Sequence, residues 1–123
     1  IQPAGAIYFM MDEKDVQAAM SHPGAMIGSD GIPFDAHPHP RLWGTFPRVL
    51  GHYSRDLGLF PLEDAVRRMT SYSAQRFHLA KRGEVKTGYY ADLCIFDPAT
   101  VIDTATFEKP IAPARGIDTV ICN

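Results

Sequence analysis

Two short apolar runs near the start of the chain, Ala6-Ile7-Tyr8-Phe9-Met10 and Ala25-Met26-Ile27, bracket a stretch with helical periodicity. Short apolar runs without alternation suit strands buried on both faces, as in parallel sheets. Between them, Asp12 stands at a helix N-cap position and Asp15 follows three residues on, in the place of a capping-box acid. Val16, Ala19 and Met20 recur on one face, and His22-Pro23-Gly24 ends the periodic stretch. A strand, a helix and a second strand over about thirty residues make a βαβ unit, which implies α/β architecture with a parallel sheet or barrel.

The second strand, about residues 25–30, ends on a carboxylate in Gly28-Ser29-Asp30-Gly31-Ile32-Pro33. Eleven residues after Asp30 comes Arg41, in the run His37-Pro38-His39-Pro40-Arg41. Side-chain alternation puts Met26, Gly28 and Asp30 on one face, which in a barrel is the interior. Gly28 leaves space below the carboxylate, and Gly31 relaxes the steric limits on the turn. A carboxylate so placed can hold a metal-bound water, take its proton and later protonate a leaving amine. The alternative is that Asp30 caps the loop. Arg41 offers a planar fork suited to an anionic substrate group, or else to an ion pair bracing the loop.

The segment from Gly31 to Trp43 reads as a long loop stiffened by Pro33, Pro38, Pro40 and, just beyond it, Pro47. Phe46, Val49, Leu50 and Tyr53 mark a helix from Phe46 to Leu57 that stops at Gly58, with Trp43 plugging the core at its start. Pro61 opens another helix, with Leu62, Ala65, Val66 and Met69 inward and Glu63, Asp64, Arg67 and Arg68 outward. Arg48 and Arg55 join Arg67 and Arg68 as surface charges. A short helix restarts at Thr70 or Ser71 and runs to about Leu79, turning Tyr72 and Phe77 inward. The period changes near Lys81, where Glu84–Gly88, Leu93–Phe96 and Thr119–Cys122 become strand candidates.

Composition narrows the class. With 123 residues, 46% hydrophobic, 21% charged and a net charge of −2, the chain reads as a soluble globular domain. That balance points away from nucleic acid, and no apolar run nears the roughly 20 residues that span a bilayer. Cys94 and Cys122 lie in apolar segments and read as reduced, buried thiols of a cytoplasmic protein. Five histidines (His22, His37, His39, His52 and His78) are spaced in a way that argues against a zinc site made within this chain. A start at Ile1 and a stop just after the apolar run Thr119–Cys122 predict a piece of a longer protein.

Three motifs carry a resemblance: Gly28–Gly31, Pro38-His39-Pro40-Arg41-Leu42-Trp43-Gly44-Thr45-Phe46-Pro47-Arg48 and Gly83-Glu84-Val85-Lys86-Thr87-Gly88-Tyr89-Tyr90-Ala91-Asp92-Leu93. Together they resemble the C-terminal part of the N-acyl-D-amino-acid deacylases, the D-aminoacylases of the amidohydrolase superfamily. The third motif looks like the superfamily's general closing signature, and the second resembles the deacylase branch in particular. The resemblance implies a zinc-dependent hydrolase that cleaves the amide of an N-acyl-D-amino acid, a small-molecule substrate, to a carboxylate and a D-amino acid. It implies a (β/α)8 barrel whose last two βα units are residues 1–78, plus part of a small β-sandwich at residues 79–123.

On that mapping Asp30 matches the family's general base and acid beside the zinc, itself at most a weak ligand. Arg41 matches a position near the substrate's side chain, and Gly31, next to the carboxylate, is read with it as substrate-binding. The zinc ligands of the family match no position in this chain, so the metal site is incomplete. Phe34 and His37 depart from more polar or basic residues in relatives, which puts substrate preference in doubt. Two barrel strands cannot close a barrel, so the segment alone is expected to be inactive and to expose apolar surface or self-associate. Two other readings stay open: a segment of a cyclic amidohydrolase (hydantoinase- or dihydroorotase-like), or a non-catalytic truncated remnant.

Overall fold

The computed structural model describes residues 6–123. Its elements are α1 (Glu13–Ser21), α2 (Arg41–Arg48), a π-helical segment (Val49–Asp56), α3 (Leu62–Met69), α4 (Ser71–Arg76), β1 (Leu93–Phe96) and β2 (Ile117–Ile121). Asp12 caps α1, its Oδ1 accepting the Lys14 N–H at 2.8 Å. Pro61 precedes α3, whose first turn carries Glu63 and Asp64 and whose last carries Arg67 and Arg68, as the helix dipole favours.

The helix expected from Phe46 begins earlier, at Arg41, and contains Pro47. Proline is tolerated because its missing N–H removes a single bond, but the ladder beyond it changes register. From Val49 the helix is wound in π fashion, and its end is sealed by Leu57 N–H donating to the His52 carbonyl at 2.9 Å. Gly58 then turns the chain at φ +61°.

The core lies where this helix meets α3 and a returning C-terminal loop. Val49, Leu50, Tyr53, Phe60, Ala65 and Val101 form its centre, with Val16, Met20 and Ile27 packed against them. Ala65 and Val101 are completely buried. Burying a side chain such as Val101 contributes roughly 1.5–3 kcal/mol. Gly51 permits the contact, since a Cβ there would stand 2.3 Å from the Val101 carbonyl oxygen.

Several expected strands do not form among the described residues. Residues 6–10 and 25–30 take no regular secondary structure and make no ladder, and residues 84–88 form a bend and a turn with Val85 in solvent. A parallel strand takes its hydrogen bonds from neighbours, and the described residues supply none on either side. The one sheet among them is a two-stranded antiparallel ribbon pairing Leu93 with Ile121 and Cys94 with Val120, with an irregularity between Ile95 and Phe96. A ribbon of two strands has little to cover its faces, and Cys94 and Cys122 are exposed free thiols rather than buried ones. Phe77, expected inward, is exposed because α4 ends at Arg76. Trp43, expected as a core plug, is also exposed. No helix among the described residues is long and apolar enough to cross a membrane.

Candidate functional site

Asp30 lies in the irregular stretch between α1 and α2, and its backbone adopts φ +49°. Left-handed backbone is uncommon outside glycine; aspartate is among the residues that accept it, and such positions cluster at functional sites. The unusual φ therefore falls on Asp30 itself and not on Gly31. Gly31 serves close packing instead. A Cβ there would lie 2.6 Å from Leu42 Cδ1 and 2.9 Å from Leu42 Cα, so glycine lets the turn press against α2. Below the carboxylate, a Cβ on Gly28 would meet nothing within 4 Å.

Arg41 is the first residue of α2 rather than part of a loop, and its Nη2 lies 2.8 Å from Asp30 Oδ2. The structure thus joins the two leading site residues directly. The Asp30 side chain is 85% exposed, so within this chain it faces solvent and not a barrel interior. Arg41 Nε is buried without a hydrogen-bond partner, the sole such side-chain atom among the described residues. A buried donor left unpaired is costly, and an anion reaching it would relieve that cost.

The imidazoles on either side of Pro38 have separate partners. His39 Nδ1 accepts the Arg41 backbone N–H at 3.0 Å, satisfying one of the free donors at the start of α2. Burial, and then the Arg41 guanidinium, push the His39 imidazole below its ordinary value, with Asp30 pulling the other way. His37 Nε2 donates to the Phe107 carbonyl at 3.0 Å. The Phe107 ring meets the His39 ring edge-on at 5.2 Å and the Phe9 ring at 4.8 Å. A cavity of about 800 Å³ opens beside them, lined by Met10, Ile32, His37, His39 and Arg41 among others, but not by Asp30.

Periodicity places Arg68 on the surface, yet it is 3% exposed. It donates to Asp64 Oδ2 at 2.6 Å and to the His22 carbonyl at 3.0 Å, with its guanidinium over the Phe60 ring. The i, i+4 spacing of Asp64 and Arg68 is a signal for the pair, but the grip on the end of α1 has no sequence signal. Arg48 likewise meets Asp103, 3.4 Å away across the fold.

The zinc implied by the sequence resemblance does not fit this chain alone. No group of three or more His, Cys, Asp or Glu side chains able to hold an ion occurs among the described residues. What the site can do unaided is present one carboxylate for proton transfer and one guanidinium for an anion.

Comparison with known proteins agrees along the whole chain. A D-aminoacylase of Alcaligenes xylosoxydans xylosoxydans is 67% identical over all 123 residues, which cover 25% of that protein. An N-acyl-D-aspartate deacylase from the same organism is 52% identical over the same span, again 25% of its length. A D-aminoacylase crystal structure superposes with a TM-score of 0.95 at 68% identity, over 98% of this chain and 25% of that one. An N-acyl-D-glutamate deacylase from Bordetella bronchiseptica, solved with zinc and a phosphonate mimic of the tetrahedral intermediate, gives 0.91 at 51% identity, over 93% and 24%. The chain therefore spans about a quarter of the length of these relatives. The amidohydrolase family model matches residues 2–123, and the chain belongs to that family.

Proposed function

We propose that this chain is the C-terminal segment of a zinc-dependent hydrolase that cleaves the amide of N-acyl-D-amino acids. On this reading residues 1–78, of which 1–5 lie outside the described residues, complete a (β/α)8 barrel, and residues 79–123 form part of a small β-sandwich. The stretches 6–10 and 25–30 are its unpaired strands. Their exposed side chains, Tyr8, Phe9 and Met10 among them, are the kind of surface that neighbouring strands cover. The protein would act in the cytoplasm on a small-molecule substrate.

The observation that carries the proposal is the Asp30–Arg41 pair, set in motif segments that match deacylases along the full chain. Asp30 takes a proton from the attacking water, the amide C–N bond breaks, and the same carboxyl returns the proton to the departing amine. Arg41 receives an anionic group of the substrate through the part of its guanidinium that stays open to solvent. Zinc would be held by residues outside this chain.

The test is hydrolysis of linear N-acyl-D-amino acids by the full-length protein with zinc, run beside cyclic ureides. Turnover of the linear amides supports the reading; turnover of cyclic ureides alone replaces it with a cyclic amidohydrolase. The isolated 123 residues are expected to be inactive.

A further inference from the structure

The substrate-facing guanidinium is held by a side chain that takes no part in the proposed chemistry. Arg41 opens α2, and the residue before it, Pro40, makes no side-chain cap. The first turn of a helix has backbone donors without partners, and leaving them unmet loosens that turn. His39 supplies the missing acceptor through Nδ1, 3.0 Å from the Arg41 nitrogen. At the other end of that turn, the Thr45 hydroxyl donates to the Arg41 carbonyl at 2.8 Å, so the backbone of Arg41 is fixed from both sides.

The imidazole is itself held. Phe107, from the C-terminal part of the chain, meets it edge-on at 5.2 Å, and the Phe107 carbonyl takes the hydrogen bond from His37 at 3.0 Å. One residue of the returning loop thus fastens both histidines of the His-Pro-His run. The charged groups that act on the His39 ring are Arg41 and Asp30, and Glu13, Arg48 and Asp103 line the same hollow. An Nδ1 that accepts from a backbone amide leaves the proton of a neutral imidazole on Nε2, which is compatible with the cation next to it.

We propose that His39, steadied by Phe107, is the positioning residue for Arg41: it fixes the first turn of α2 so that the guanidinium is presented to the anionic group of the substrate and to Asp30. The inference rests on the proposed role of Arg41 and adds a residue from each part of the chain to it. It makes a chemical distinction among substitutions. Asparagine at position 39 can still accept the Arg41 N–H from a short side chain, whereas alanine cannot.

The experiment compares His39→Ala and His39→Asn in the full-length protein. His39→Ala should raise KM for an N-acyl-D-amino acid roughly tenfold, the size of effect a lost cap of about 1.4 kcal/mol gives, with kcat much less affected. His39→Asn should restore most of the loss. Equal falls in kcat for both variants with KM unchanged would overturn the proposal.

A second readout needs no turnover. Hydrogen exchange at the Arg41 amide should be slow in the native protein, fast in His39→Ala and slow again in His39→Asn, and nitrogen NMR should find the His39 proton on Nε2. Fast native exchange, or a proton on Nδ1, would sink the positioning role whatever the enzyme hydrolyses. Absence of turnover with the exchange pattern intact would instead sink the reaction.

Discussion

The helical middle of the molecule and the irregular stretches at its front are built on opposite terms. The helices from Arg41 to Met69 bond within themselves and close a core around Val49, Leu50, Ala65 and Val101. Residues 6–10 and 25–30 have no ladder, and Tyr8, Phe9 and Met10 lie in solvent. Yet the irregular stretch, not the helical core, carries Asp30. The catalytic group of the proposed enzyme thus belongs to the part of the chain that depends on others for its hydrogen bonds. The helical part, bonded within itself, supplies the scaffold and Arg41.

The most telling test of this division is Asp30→Asn. Within this chain its carboxylate sits at the surface and holds a single ion pair, to Arg41, so the change should cost little stability while lowering kcat of the full-length protein by roughly 10²–10⁴-fold. Paired melting curves and steady-state assays check both halves. A large loss of stability would mean that Asp30 is architectural.

Arg68→Ala reverses the pattern by striking the scaffold. It strips Asp64 of a partner and takes from the carbonyls of Met20 and His22 the donor that the buried guanidinium supplies. Chemical denaturation should show a loss of about 2–4 kcal/mol. Gly51→Ala should cost less, about 1–3 kcal/mol, because the Val101 carbonyl stands in the way of the new methyl and the loop must shift. Unfolding midpoints rank the two, and an unchanged midpoint for Gly51→Ala would show that the C-terminal loop is not pressed against the π segment.

The smallest effect concerns pH. Burial alone would raise the Asp64 carboxyl, but hydrogen bonds from Arg68 and Arg67 hold it below its ordinary value. A carboxyl lowered on folding stabilises the native state above the unfolded value, and that contribution fades as pH falls through the lower, folded value. Urea midpoints followed from neutral to acid pH should therefore decline, and the decline should shrink in Arg68→Ala.

Much of the helical scaffold is legible in the residues. Asp12, Pro61 and Gly58 announce helix boundaries that the structure reproduces closely, because caps and turn residues act on their own backbone. The ribbon strands around Leu93–Phe96 and Ile117–Ile121 are also visible as apolar runs. The start of α2 is not, since the prolines at 38, 40 and 47 signal a loop and Pro47 is accepted inside a helix only in its particular context. Arg68 reads as a surface charge because periodicity assigns a face without saying what the neighbouring element brings to it.

The candidate site divides in the same way. That a carboxylate and a guanidinium eleven residues apart are candidates for one site is inferable from residue type and motif. Their 2.8 Å contact, the left-handed backbone at Asp30 and the packing of Gly31 on Leu42 are not.

Residue identity is enough to reach family membership, several helix ends and the choice of Asp30 and Arg41 as candidate site residues. Each of these depends on residue type or on contacts within a few positions. Only the folded arrangement closes Phe107 over the histidines, buries Arg68 against α1 and lets Gly51 admit the Val101 loop. Those contacts join residues some forty to seventy positions apart, and nothing short of packing finished elements together brings such groups within reach.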